Sequence, residues 1–383
     1  MDVQARRVAK ELLERYAPIT IDGVWRAPGR VNLIGEHTDY NLGFVLPVAL
    51  NMACYVARGS GNDGRVAVYS ANLGEERSWP VSELADLKPV NDWGDYVSGV
   101  AIQLLKTGHE IEPCTLLIDS TVPVGGGLSS SASLQVAVAL ALLGNQKMDP
   151  VELAKLVQRA ENEFVGLPCG IMDQYISLFG QVNSALKIDC RSLGFDVVHL
   201  PAGVEIIAVN TMVKHELGGS AYRERVTECA QAAGRIREKH PDVESLRDAN
   251  VDQLKLVNGI PQKRARHVIT ENQRVADFIA ASSSGNLQEM GKLFVASHRS
   301  LQHDYEVSCE ELDFLVDTSF GIPGVYGSRM TGGGFGGCIV SLIATGAAQQ
   351  FEETVGKSYH EKFGIQARFY PCKPSPGAGR VDK

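Results

Sequence analysis

The segment Pro123-Val124-Gly125-Gly126-Gly127-Leu128-Ser129-Ser130-Ser131-Ala132-Ser133 leaves a strand-like run and enters an apolar helical pattern. Three glycines let backbone N–H groups approach a ligand, the serines supply hydroxyls and can cap the helix, and the helix N-terminus adds partial positive charge. Polyphosphate suits such a cradle, and hydroxyls can ligate the Mg²⁺ that a nucleotide brings. The plainer alternative is a flexible loop with an N-cap serine. It is not a Walker A loop, since no Gly-Lys-Ser/Thr follows the glycines. The Gly356-Lys357-Ser358 triplet has Phe351 where the first glycine should stand and lies in a helical pattern. Gly332, Gly334 and Gly337 satisfy G-x-G-x-x-G, but the following Cys338–Ile343 reads as a strand where a dinucleotide fold requires a helix.

Residues 26–47 gather Arg30, Asn32, Glu36, His37, Asp39, Tyr40 and Asn41 around a Pro-Gly turn. Carboxylates and amides at that density suit a polyol, whose hydroxyls need both acceptors and donors. Arg30 suits phosphate oxygens through its permanent charge and planar fork of donors. A solvated polar loop remains open as an alternative, and His37 alone would more often be structural. In the stretch from Ala160 to Gln174 a helix ends at Gly166 and a second apolar helix begins near Asp173. That carboxylate either serves the helix dipole or acts as a base toward a hydroxyl.

These segments need a scaffold, and 383 residues allow one large domain or two ordinary ones. The first half mixes short strands (66–70, 114–119, 185–189) with helical patterns at 3–16, 93–107, 131–143 and 150–164. After the Pro201-Ala202-Gly203 break come a strand at 204–210, amphipathic helices around 222–239, 270–282 and 287–301, a strand at 338–343, a helix at 347–363 and a last strand at 366–370. The reading is α/β followed by α+β, with domains 1–200 and 201–383, and the Pro/Gly-rich end 373–383 is expected to fray.

Hydrophobic residues make up 44% and charged residues 21%, enough apolar material for a sizeable core. The net charge of -8 gives no surplus to draw the molecule to nucleic acid or anionic lipid. The longest apolar run, Val136 to Leu143, is far short of the ~20 residues a membrane span needs. The N-terminus lacks the apolar core of a secretory signal. The eight cysteines show no C-x-x-C and no metal-ligand spacing, so they read as core fillers in a reducing compartment. A cytoplasmic enzyme with neither a nucleic-acid nor a membrane partner is expected, with a monomer favoured.

Taken together the segments resemble the galactokinase branch of the GHMP small-molecule kinase family. Residues 26–41 resemble its signature around G-R-V-N-L-I-G-E-H-T-D-Y, residues 123–133 its phosphate-binding motif, and 329–338 (RMTGGGFGGC) its third motif. Order and spacing agree as well, and the likeness extends over nearly the whole chain.

The resemblance implies a two-domain GHMP-kinase fold with the active site in the inter-domain cleft, a left-handed β-α-β unit in the first domain and antiparallel sheet with helices in the second. It implies ATP-dependent phosphorylation of D-galactose at the C1 hydroxyl, with Asp173 as catalytic base and Arg30 beside the transferred phosphate. Glu36, His37, Asp39, Gly170, Asp173 and Tyr222 match the sugar contacts. Gly125, Gly127, Ser129 and Ser130 belong to the nucleotide loop, Trp93 to the adenine pocket, and Ser130 with Glu161 match the Mg²⁺ ligands. Related acceptors, N-acetylgalactosamine or L-arabinose, are the nearest alternative. A non-catalytic galactose sensor is a further one, disfavoured because Ser131-Ala132, the pair that sensor relatives lack, is present.

Overall fold

Asp2 opens the first helix: its carboxylate accepts from the Ala5 amide at 2.7 Å, and Ala5, Val8 and Leu12 bury one face of α1 (Val3–Tyr16). The computed structural model describes residues 2–60, 63–214 and 218–381. After α1 come β1 (Ile21–Asn32), β2 (Phe44–Val45), β3 (Pro47–Ser60), β4 (Arg65–Ser70), β5 (Glu75–Pro80), α2 (Asp95–Lys106), β6 (Cys114–Ser120), α3 (Ser130–Leu143), α4 (Pro150–Arg159) and α5 (Met172–Phe179). The second half runs β7 (Ser184–Asp189), β8 (Phe195–His199), β9 (Val204–Lys214), α6 (Gly218–Arg237), α7 (Gly259–Ser283), α8 (Leu287–Ser300), α9 (Glu310–Ser319), β10 (Val325–Thr331), β11 (Gly336–Ala344), α10 (Ala348–Phe363), β12 (Arg368–Cys372) and β13 (Gly379–Arg380).

Three sheets result. A six-stranded sheet has the order β13-β1-β3-β6-β4-β5, antiparallel except for the parallel β4–β6 pair. A four-stranded antiparallel sheet, β10-β11-β9-β12, belongs to the second half, and β2-β7-β8 form the third. Helix α3 is buried on nearly every side, as a helix that is apolar all round beyond Gln135 must be, packing on β1, β3, α2 and α5. It therefore carries its N-terminal serines on a helix packed into the core of the first half.

Most expected elements are present, but β1 and β3 break the pattern. Residues 23–32 of β1 are buried without alternation, Arg26 and Arg30 included, so charged residues sit where a polar loop was an open reading. The polar-loop alternative is thereby corrected for residues 26–32. The register shifts between Pro28 and Arg30, where Gly29 lies so close to the phosphate-loop candidate that an added Cβ would come 2.6 Å from the Leu128 carbonyl. The helix expected over 150–164 ends at Arg159 and continues as a π-helical turn, Ala160–Val165.

The expectation of a frayed end is overturned for residues 373–381. Ser375 donates its amide to the Ala49 carbonyl at 2.9 Å, Arg26 donates to the Ser375 hydroxyl at 3.0 Å, and Gly379–Arg380 pair with β1. Glycine there permits close packing rather than freedom: a Cβ on Gly377 would sit 2.0 Å from the Leu178 carbonyl. Residues 382–383 of that expected tail lie outside the described residues. The tail crosses the expected division at residue 200, and one apolar cluster joins Val31 and Val48 to Ile206, Ala208 and Val340. Among the described residues no helix is long and apolar enough to cross a membrane.

Candidate active site

Two adjoining cavities open where β1, the N-terminus of α3, the start of α5 and the third glycine-rich segment meet. The larger, about 400 Å³, is walled by Trp93, Tyr96, Gly125, Gly127, Ser129 and Ser130, with apolar support from Leu134. The smaller, about 120 Å³, is walled by Glu36, His37, Asp39, Gly170, Tyr222 and Gly333. Arg30 and Asp173 are the two described residues that line both. Every residue matched to a sugar contact lies on the smaller cavity, and every residue matched to the nucleotide loop or adenine pocket lies on the larger.

Arg30 and Asp173 form a bidentate ion pair, Nε to Oδ1 and Nη2 to Oδ2 both at 2.8 Å, while Arg30 Nη1 donates to the Gly127 carbonyl at 2.6 Å. The second partner of the carboxylate is Ser129, whose hydroxyl donates to Asp173 Oδ2. Ser129 is the residue before α3 and adopts a left-handed conformation (φ 61°), uncommon for serine, and its hydroxyl makes no cap bond to the helix. The expected capping serine is thus diverted to the carboxylate. Gly125 and Gly127 have φ of 72° and 70°, conformations that glycine adopts without penalty.

In the smaller cavity Glu36 is fully gripped by the protein. Asn32 donates to its Oε2 at 2.8 Å, while the Thr331 hydroxyl and the Gly332 amide donate to Oε1, each at 2.8 Å. This carboxylate ties the first motif to the third. Asp39 faces the Gly170 backbone so closely that a Cβ at Gly170 would lie 1.7 Å from Oδ2, which explains why a side chain is absent there. Burial, then the Asp173 charge, pushes the Asp39 carboxyl up to about 7. Burial pushes the His37 imidazole down to about 3, so that the ring is neutral at physiological pH. His37 packs against Tyr222 with ring centroids 5.6 Å apart.

Trp93 is held by a bond from its indole N–H to Glu75 at 3.0 Å, with the Arg77 guanidinium 5.5 Å from the ring. Glu161 lines neither cavity. It is buried in the π turn behind the serines, accepts from Gln174 at 3.0 Å and from the Ser131 hydroxyl, and its carboxyl is pushed up by burial despite those bonds. Asn32 was read only as part of the polar segment, not as a support of Glu36; the site residues that sequence reasoning did not single out are Thr331, the other side-chain support of Glu36, Tyr96 on the cavity wall with Trp93, and Gln174 beside Glu161. Gln174 stood next to Asp173 in a stretch already under scrutiny. Thr331 carried no polar signal of its own beyond its place before the glycines.

Three family models match the chain: the galactokinase galactose-binding signature over residues 14–59, the GHMP kinases N terminal domain over 95–181, and the GHMP kinases C terminal over 278–361. A galactokinase of Roseiflexus sp. (strain RS-1) is 42% identical over 97% of this chain and 96% of its own length. One from Thermotoga maritima is 40% identical over 93% of this chain and 99% of its own length. The crystal structure of Lactococcus lactis galactokinase complexed with galactose superposes with a TM-score of 0.92 at 35% identity, covering 98% of this chain and 99% of that one. A mevalonate kinase with TM-score 0.66 at 20% identity, covering 91% of this chain and 98% of its own, shares the fold.

Proposed function

This chain belongs to the galactokinase family of GHMP kinases, and we propose from that premise that it transfers the γ-phosphoryl group of ATP to the C1 hydroxyl of D-galactose. The observation that carries the reading is the position of the Arg30–Asp173 pair at the junction of the two cavities, where donor and acceptor must meet. The galactokinase-specific match over residues 14–59, the segment that supplies Glu36, His37 and Asp39, favours galactose over the alternative acceptors, and relatives named galactokinase that match along nearly the whole chain favour an enzyme over a sensor.

Phosphoryl transfer demands little covalent chemistry of the protein, so positioning and charge stabilisation dominate. Arg30 has five N–H donors, of which three are bonded to Asp173 and Gly127, leaving one on each terminal nitrogen for phosphate oxygens. Asp173 Oδ2 already accepts from Arg30 and Ser129, whereas Oδ1 accepts only from Arg30. Oδ1 is therefore the oxygen that orients the sugar hydroxyl and takes its proton. Glycine-rich backbone and the α3 N-terminus receive the phosphates in the larger cavity, with Trp93 and Tyr96 flanking the base.

The hard oxygen donors at this end fit Mg²⁺: serine hydroxyls at the α3 N-terminus and one buried carboxylate, Glu161, whose raised affinity for a proton reflects an environment that a cation would relieve. Ser130 and Glu161 would hold the ion, which supplies neutralisation of phosphate charge when bound. Eight free thiols suit a reducing, cytoplasmic setting.

The test is an ADP-release assay with Mg-ATP against galactose, glucose, galactosamine, N-acetylgalactosamine, arabinose and mevalonate. Galactose is expected to give the highest kcat/KM, with glucose poor because it leaves a polar wall group unpaired. Equal kcat/KM for glucose and galactose would overturn the assignment.

A further inference from the structure

His37 is one end of a chain of polar side chains that leads from the smaller cavity into the core. Its Nδ1 lies 2.9 Å from the Tyr40 hydroxyl, which lies 2.6 Å from the Tyr305 hydroxyl, which lies 3.1 Å from Cys229 Sγ. At the other end, His37 Nε2 is buried on a residue that forms the cavity wall, and no side chain is bonded to it. Tyr305 is not part of that wall; it is wholly buried, 265 residues from Tyr40 in sequence.

The position of Tyr305 is strongly fixed. It ends the π-helical turn Leu301–Tyr305, where Arg225 Nε donates to its carbonyl at 2.7 Å and Arg264 Nη1 donates to the Asp304 carbonyl at 2.7 Å. Its ring lies between the imidazoles of His37 and His267, with centroids 4.7 and 4.6 Å away. Such π turns often occur where function demands an unusual side-chain placement.

A neutral imidazole carries one N–H, so the chain can run in two directions. If Nδ1 donates, protons point inward and end on the thiol sulfur, a weak acceptor, while Nε2 becomes an acceptor. If Cys229 donates to Tyr305, Tyr305 to Tyr40 and Tyr40 to Nδ1, every donor has an oxygen or nitrogen acceptor and Nε2 carries the proton. The Gly333 carbonyl, also at the cavity wall, favours a proton on this ring, and Nε2 is the nitrogen left for it.

We propose that Tyr305, acting through Tyr40, holds His37 as its Nε2–H tautomer, so that the cavity presents a fixed donor to one oxygen of the bound sugar. Tyr305 is a positioning residue in this account. A sugar hydroxyl that accepts from Nε2 must point its own proton elsewhere, toward a carboxylate of the wall such as Asp39. The device deepens the galactose reading and rests on it, since it makes a hydroxyl's direction part of what is recognised.

Nitrogen-15 NMR of histidine-labelled protein, free and with galactose, reads the tautomer directly, with the His37 signals assigned by their loss in His37→Gln. The expected spectrum shows Nδ1 unprotonated and Nε2 protonated; the reverse assignment overturns the proposal, and neither result needs a Tyr305 variant to fold. Tyr305→Phe, which keeps the ring, is expected to mix the tautomers and to raise KM for galactose about three- to tenfold, the scale of one lost hydrogen bond, with kcat within about twofold. With a series of monodeoxygalactoses the KM penalty should vanish for one sugar only. An equal penalty for every sugar would mark Tyr305 as merely structural. Failure of the wild-type protein to phosphorylate galactose would sink the functional reading, whereas normal turnover with an Nδ1–H His37 would sink this inference alone.

Discussion

Ser129 gives its hydroxyl to the Asp173 carboxylate instead of capping its own helix, and it holds a left-handed backbone to do so. The helix cap is given up, and the phosphate loop is tied directly to the carboxylate at the cavity junction. The arrangement explains why Asp173, from the start of α5, keeps one defined orientation beside Arg30 of β1.

Ser129→Ala removes a hydrogen bond to a charged group, an interaction worth roughly 1.5–3 kcal/mol. Steady-state kinetics should show kcat lowered about tenfold or more, with galactose affinity by calorimetry nearly unchanged because the sugar wall is intact. A variant with wild-type kcat would show that Arg30 alone orients the carboxylate.

Asp39 sets a pH dependence whose sign follows from its raised pKa. Below about 7 the folded carboxyl is protonated and cannot accept from two hydroxyls, so kcat/KM for galactose should rise with pH through that value. For stability the direction is opposite. Between the ordinary value of 3.8 and about 7 the folded state holds a proton that the unfolded state has released, so stability from this group falls as pH rises, by up to about 1.4 kcal/mol per pH unit. Asp39→Asn should therefore gain in Tm relative to wild type at pH 8 more than at pH 4, while losing galactose affinity. Parallel pH–Tm curves for the two proteins would contradict the burial argument.

Glu161 stands behind the serines rather than on the cavity wall. If it holds Mg²⁺, Glu161→Gln should raise the Mg²⁺ concentration needed for half-maximal activity while leaving galactose binding by calorimetry nearly intact. An unchanged Mg²⁺ requirement would confine Glu161 to supporting Ser131 and Gln174.

Helices were legible in the sequence where caps and spacing agree, as at α1 with Asp2 and at α4 with Asp149 before Pro150. The strand that carries Arg30 was not, because burial on both faces erases the alternation by which strands are read, and its arginines look like solvent-facing residues. The same limit hid the chain end: Lys373–Lys383 has a loop's composition, yet Ser375 and Gly377 are held by Ala49 and Gly180 across more than half the chain.

For the site, residue types and local spacing marked the phosphate loop and the polar segment around His37, and the family resemblance assigned roles within them. Partnerships across sequence were invisible. Thr331 reaching Glu36, Tyr305 reaching Tyr40 and Ser129 turning to Asp173 are set by tertiary packing, and no spacing rule announces them.

The central claim is that Asp173, paired with Arg30, serves the chemical step. Its most direct measurement is kcat of Asp173→Asn, with folding checked by circular dichroism and galactose affinity by calorimetry. Loss of the base should cost about 10²–10⁴-fold in kcat while the sugar still binds. Arg30→Gln should also lower kcat, and the double variant should fall little below the worse single one, as for residues that act together. A folded Asp173→Asn protein that keeps more than about a tenth of wild-type kcat, well under the usual loss for a general base, would reduce Asp173 to an orienting residue and contradict the account.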